Sequence, residues 1–405
     1  MSATGFGSDY GAVAEEDVTI RLKRRQLAAE GALERLGGFF SGLRTKAGFT
    51  DYRHTEFEGD ETGTVFKSRG GEARAELLHG RTGGFEGAWG ARAGADRFSA
   101  EGEEAFLPAS RTVSGEVFAF EEWARGGTRA QLAARAQFQR VRPEGGAARR
   151  DWTGAFSAGV VRDIGGGCAV TLSVTRSGRA PSAQELFADG PHAGTGAFEI
   201  GDSALACERV WSGDLGITRK TGRVTGALRV FATRFDGFIS ERATGEVRDG
   251  LPVYRFAQSD AVFWGAEAEA VFKLLDAPDN AVELRVTADA VRAETRGGAR
   301  GRLPRMTPSR AGAELTWRGR WLTATAGLRA ADRARRPAAE ETATAGWCLV
   351  NAEVAVPVRA GGFSGEFFLR GTNLTNQLAR NHVSLLKDKM AAGRRGVTAG
   401  ARVAF

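Results

Sequence analysis

The final stretch, GVTAGARVAF from Gly396 to Phe405, alternates with a period of two. Val397, Ala399, Ala401, Val403 and Phe405 are apolar, and Thr398, Gly400, Arg402 and Ala404 lie between them. Successive side chains of a strand point to opposite faces, so this segment has one apolar face. The same pattern recurs upstream. Val282, Leu284, Val286, Ala288 and Ala290 oppose Glu283, Arg285, Thr287 and Asp289; Ala130, Leu132, Ala134, Ala136 and Phe138 oppose Gln131, Arg135, Gln137 and Gln139. Trp152, Gly154, Phe156, Ala158 and Val160 share one face, as do Val350, Ala352, Val354 and Val356. Helical periodicity is weak, and the chain reads as all-β, with roughly sixteen strands of about ten residues or longer.

The connections carry the next level of organisation. Short glycine-rich or turn-like links fall at 80–84, 125–128, 163–167, 219–223, 276–280, 318–321 and 359–364. Between them lie longer polar links at 100–110, 141–150, 177–207, 241–253, 294–309, 332–345 and 376–395. A soluble sandwich has no reason to keep every long loop at one end. A transmembrane antiparallel β-barrel does, with short turns on one side and long loops on the other. Composition agrees: 56 glycines against 10 prolines suit many tight turns and close strand contacts. The net charge of +7 is spread along the chain without a concentrated patch or motif, so nucleic acid is excluded as a partner. Three distant cysteines, Cys168, Cys207 and Cys348, form neither a zinc ribbon nor a redox pair. No apolar run reaches the length of about 18 residues that a membrane helix needs.

A barrel in lipid leaves no unpaired sheet edge, because unsatisfied backbone groups cost several kcal/mol each. The last strand is therefore expected to pair with the first, with Ala401 and Val403 toward lipid and Phe405 at the short-turn rim. That strand would be the segment read by the barrel-assembly machinery.

Particular segments now look familiar. RAPSAQELFADGPHAGTGAFEIGDSALACE (179–208) and FFLRGTNLTNQLARNHVSLLKDKMAAGRRGVTAGARVAF (367–405) resemble the barrel of TonB-dependent outer-membrane receptors. DYRHTEFEGDETGTVFKSRGGEARAELLHG (51–80), GEEAFLPAS (102–110) and LPRMTPSRAGAEL (303–315) resemble the branch associated with zinc uptake. The resemblance implies an importer of the bacterial outer membrane whose barrel has about 22 strands. It also implies a plug domain, a signal peptide and a segment that engages TonB. None of these is found in residues 1–405, which are expected to be one partial barrel without a plug. TonB is a partner only if a plug is present. The alternative is a passive pore or a non-transporting remnant. Iron chelates, haem and cobalamin stand beside zinc as cargo, since loops set specificity. No cofactor is required, and no nucleophile elbow, HExxH or P-loop is present, so no enzyme is expected. DIGGGC (163–168) reads as a turn.

Imidazole with carboxylate suits a borderline metal such as zinc. His192, in GPHAGTG, lies beside Asp189 with Glu199 and Asp202 downstream; it is either a ligand or a pin for its loop. His54 shares one parity with Glu56, Glu58 and Asp60, a row read as lumen-facing near the outer mouth. That row is either solvated or a metal contact. His382 reads as loop surface, and His79 falls at a short turn. The tryptophans Trp89, Trp123, Trp152, Trp211, Trp264, Trp317, Trp321 and Trp347 read as an interfacial belt beside lipid. Arginine-rich tracts at 292–302 and 329–336 read as outer-loop contacts to lipopolysaccharide.

Overall fold

The computed structural model describes every residue except 12–17, 193, 297–300, 340, 361–362 and 405. The first nine strands are β1 (Ser2–Gly11), β2 (Val18–Glu34), β3 (Phe40–Glu58), β4 (Glu61–Thr82), β5 (Phe85–Glu101), β6 (Ser110–Arg125), β7 (Thr128–Pro143), β8 (Arg149–Gly165) and β9 (Cys168–Arg179). A connection follows that holds helix α1 (Ala183–Phe187) and the short strands β10 (Asp189–His192) and β11 (Ala197–Ile200). The wall resumes with β12 (Glu208–Arg219), β13 (Val224–Arg248), β14 (Leu251–Ala277), β15 (Asn280–Arg296) and β16 (Arg310–Gly319). It ends with β17 (Thr323–Ala331), β18 (Trp347–Ala360), β19 (Phe363–Thr372) and β20 (Gly396–Ala404).

Each wall strand pairs antiparallel with its sequence neighbour, and β9 passes directly to β12. Setting β10 and β11 apart from the twenty strand segments leaves eighteen in the wall, more than the roughly sixteen read from periodicity. One reason is β1, SATGFGSDYG, which has no apolar–polar alternation to read.

The expected pairing of last strand with first is not found. Among the described residues β20 pairs only with β19 and β1 only with β2. Alternation fixes which face of a strand is apolar, not which strand lies beside it. Val403 and Ala401 do take the apolar outward row of β20, opposite Gly365 and Phe367 of β19. Phe405 lies outside the described residues.

Register sorts the side chains into two faces. Leu215 lies opposite Leu172 on one side and Val230 on the other, and all three are exposed on the outward face. The inward face carries cross-strand ion pairs, such as Arg310–Asp289 at 3.0 Å and Arg285–Glu269 at 3.3 Å. Such exposed pairs contribute about 0–1 kcal/mol each, so they line a wet lumen rather than hold the wall together.

The two ends differ as the link lengths predict. Gly126 and Gly127 both take positive φ, 54° and 75°, the backbone that a two-residue hairpin turn requires. Gly166 and Gly167 do the same in DIGGGC, which is a turn. The link expected at 241–253 is instead an extension of the wall: β13 has 25 residues, β14 has 27, and Asp249–Gly250 turns between them. A strand needs only about 9–11 residues to cross the hydrocarbon, so this ribbon projects far past it.

The buried apolar residues that cluster are not spread along the wall. Phe66, Phe106, Leu107 and Ala188 form one cluster and Leu186, Leu205 and Ile239 another, both where the 180–207 connection folds against the inner wall. The protein's packed core is therefore a cap at the long-loop mouth.

Candidate functional site

The cap begins at a clamp. Arg179, the last residue of β9, donates from Nε to Glu208 at 2.6 Å and from its two terminal nitrogens to Glu185 at 2.8 and 2.9 Å. Ser182 caps α1, its hydroxyl accepting from the Glu185 N–H while the Glu185 side chain accepts from the Ser182 N–H. One guanidinium thus ties the start of the connection to its helix and to β12. Buried Glu208 uses its other oxygen to accept from the Ile239 N–H at 2.7 Å, fixing the foot of the long β13 arm.

The β10–β11 hairpin then places His192 and Glu199 on one face, and β11 adds to β14 in parallel through Phe198, Glu199 and Ile200. Glu199 is 1 % exposed and receives three contacts: His192 Nδ1 at 2.7 Å, Gln184 Nε2 at 2.6 Å and Thr195 Oγ1 at 2.8 Å. Burial alone would raise its pKa; the charge and hydrogen bonds of His192, with Gln184 and Thr195, outweigh that and hold the carboxyl below its ordinary value. His192 stacks on Phe106, ring centres 4.1 Å apart. Phe106 neighbours Phe66 at 6.4 Å, and Phe66 in turn stacks on His54 at 4.4 Å. The two histidines therefore flank one phenylalanine pair on the inner wall of the mouth.

His54 Nδ1 contacts the Tyr52 hydroxyl at 2.9 Å, and its Nε2 lies 3.7 Å from Glu56. Glu56 is buried, whereas Glu58 at the end of β3 and Asp189 at the start of β10 are exposed. His192 is thus joined to Glu199 rather than to Asp189, and His54 to Glu56 rather than to Glu58. Among the described residues no three or more His, Cys, Asp or Glu side chains converge as a metal-holding group.

Further carboxylates stitch the other long links to this cap. Arg305 Nη1 donates to buried Glu241 at 2.8 Å, and its N–H donates to Glu341 at 2.8 Å. His382 Nε2 lies 3.5 Å from the same Glu341, while Nδ1 meets the Thr344 hydroxyl at 3.1 Å. His382, read as surface, is buried between two links. Burial lowers its pKa, with Glu341 and Asp388 opposing and Lys387 assisting. A ring that is harder to protonate when folded stabilises the fold above its ordinary pKa of about 6.5, and loses that contribution as pH falls below it. Amide exchange in 373–395 is expected to speed up, after correction for intrinsic rates, between pH 7.5 and about pH 5.5. His382→Gln should flatten that dependence.

The profile of a known family, TonB dependent receptor-like, beta-barrel, matches residues 6–374. The chain belongs to that family. Similar solved structures include a copper transporter, OprC, at 13 % identity and a TM-score of 0.81, over 96 % of this chain and 66 % of that one. The FrpB iron transporter of Neisseria meningitidis, in its apoprotein form, is 13 % identical with a TM-score of 0.75, over 98 % and 67 %. The Serratia marcescens hemophore receptor HasR, in complex with its hemophore HasA and heme, is 15 % identical with a TM-score of 0.69, over 95 % and 66 %. At such identities the likeness shows the fold, and the chain spans about two thirds of each of these proteins.

As a TonB-dependent receptor barrel of the outer membrane, the chain has its short turns in the periplasm and its cap outside. The tryptophans fit this frame. By register Trp89 and Trp123 face outward near periplasmic turns, and Trp152 and Trp211 face outward toward the extracellular ends of β8 and β12. Trp347, the first residue of β18, opposes Ala331 on the lumen parity instead. His79, beside its short turn, is buried at the periplasmic rim, 2.9 Å from Glu121, which also accepts from Trp89 Nε1 at 2.7 Å.

Proposed function

We propose that this chain forms the larger part of the wall of a receptor that imports a metal ion or a metal chelate. The observation that carries the reading is the pair of histidines, His192 held by buried Glu199 and His54 held by Tyr52 with buried Glu56 3.7 Å away, flanking Phe66 and Phe106 on the inner wall of the mouth. His192, which meets Glu199 through Nδ1, has Nε2 as a second nitrogen for cargo, and His54 meets cargo by exchanging its contact with Tyr52 or Glu56. Imidazole with carboxylate suits zinc and copper, and the aromatic pair suits a flat or apolar chelate such as haem or a siderophore complex. In this reading the free edges of β1 and β20 accept further strands, TonB acts on a plug inside the completed wall, and β20 serves the barrel-assembly machinery.

The test is uptake of radioactive zinc, copper and a ferric chelate by metal-starved cells carrying the chain within its complete receptor, with and without TonB. The reading expects one cargo to accumulate in a TonB-dependent way and His54→Ala/His192→Ala to lower its uptake about tenfold. No TonB-dependent cargo among the three would remove it. A passive pore would instead show steady conductance in planar bilayers and no dependence on TonB.

A further inference from the structure

Register exposes a feature that neither cargo nor TonB explains. On the outward face of β2 to β7, at the extracellular rim, one cross-strand row reads Arg25, Asp51, Arg69, Arg97, Arg111, Arg142. A shorter row two residues higher reads Lys23, Arg53, Lys67. Side chains directly opposite on neighbouring strands have Cβ atoms about 5 Å apart, and like charges so placed destabilise the sheet. Here four arginines stand side by side on β4 to β7. Asp51 neutralises Arg69 at 2.9 Å and Glu101 takes Lys67 at 3.0 Å, but among the described residues Arg53, Arg97, Arg111 and Arg142 have no acidic partner. Arg140, one step lower beside Arg142 and opposite Arg150, has its Nε buried without any hydrogen-bond acceptor.

The row immediately below is Leu27, Phe49, Gly71, Ala95 and Val113, where the apolar band of the barrel begins. Elsewhere at the extracellular ends the outward face is mixed: Arg150 and Arg176 stand singly on β8 and β9, Arg234 is paired to Asp236, and β16 to β18 present Ala311, Ala330 and Cys348. The unbroken run of arginines is thus on β4 to β7. A groove of about 950 Å³ runs along the two rows.

We propose that this face binds a phosphorylated lipid of the outer leaflet. Its phosphates would sit among the arginines and its acyl chains would lie on the small and apolar side chains beneath. The charges face away from the lumen, so cargo passing through does not meet them. They lie directly above hydrocarbon, so a soluble anion has no reason to seek them there. From Arg69 to Arg142 is three strand spacings, about 14 Å, wider than one phosphate and enough for two. Guanidinium recognises phosphate through paired N–H donors, which also relieves the repulsion along the row. The arginine-rich links read from sequence as the lipid contact play a smaller part: Arg292, Arg296 and Arg329 lie in β15 and β17, and Arg335 is paired to Asp332.

The inference rests on the family's place in the outer membrane and not on the cargo, and binding can be measured without uptake, so either can fail alone. The full chain, folded in detergent, would be titrated with bisphosphorylated lipid A, its dephosphorylated form and inorganic phosphate. Saturable binding of the first is expected, weakened about tenfold or more in Arg97→Gln/Arg111→Gln/Arg142→Gln. Arg333→Gln/Arg335→Gln/Arg336→Gln should bind as the parent does. Should the first variant fail to give the compact, heat-modifiable form of a folded barrel, Arg97→Lys/Arg111→Lys/Arg142→Lys keeps the charge and should bind with intermediate affinity. Equal binding of the dephosphorylated lipid, equal affinity for inorganic phosphate, or parental affinity in the glutamine variant would overturn the proposal.

Discussion

Replacing Glu199 by alanine is expected to release the cap while leaving the wall intact. The carboxylate is 1 % exposed and accepts from His192, Gln184 and Thr195, so its removal strands three donors in a packed site. Removing a buried carboxylate that takes three donors costs about 3–4 kcal/mol, which shifts a local opening equilibrium by two to three orders of magnitude. Limited proteolysis should then cut within 180–207 at a rate raised by about that factor. Cross-strand amides of β3 and β15 should keep their protection. Glu199→Gln keeps the shape and one acceptor and should cost about 1–2 kcal/mol. The sign with pH follows from a carboxyl held below its ordinary value. Glu199 gives its full contribution to the cap above about pH 4.3, and that contribution is lost as pH falls from there through the folded pKa. Uniform protection in Glu199→Ala would mean that the apolar contacts of Leu186 and Leu205 suffice by themselves.

A second large effect is expected on the lipid face. Leu215 is 49 % exposed in the wall and sits between Leu172 and Val230 on the outward parity. Arginine at a lipid-facing midplane position costs about 2–4 kcal/mol. Leu215→Arg should therefore lower the urea midpoint of the barrel in vesicles and shift much of it to the unfolded band on a gel. Thr171→Arg, opposite Gly216 on the inward parity, should change stability by no more than about 0.5 kcal/mol. If both variants behaved alike, the assignment of faces from register would be wrong.

Much of this architecture is written in local sequence. Alternation in 282–292 and 396–405 reports two-faced strands because side-chain direction follows from the backbone alone. Glycine pairs at 126–127 and 166–167 report hairpins because few residues adopt two successive positive φ angles. The segment 179–208, whose resemblance to the family was most specific, is the one that builds the cap. What stayed hidden depends on distant partners. The neighbours of β1 and β20 cannot be read from either strand. Residues 241–253 are polar and looked like a loop, yet they form the tip of a ribbon because two long strands support each other. Adjacency puts Asp189 beside His192 and leaves Glu199 and Asp202 merely downstream, whereas the glycines of HAGTG signal a hairpin that carries Glu199 back to the ring. His382 lies among polar residues and looked exposed; its burial depends on Thr344 and Glu341, far earlier in the chain.

The ladder between β11 and β14 has a consequence for the order in which the molecule is made. Every wall ladder joins a strand to the next wall strand, so the wall can grow hairpin by hairpin, each new strand closing only a short stretch of chain. Strand β11 is the exception. Its parallel partner, Val253 to Arg255, lies about fifty residues further along the chain and is offered only once β12, β13 and β14 are paired. The cap must wait for the wall. Until then Leu186 and Leu205 lack Ile239 and Phe256, and the cap stays incomplete.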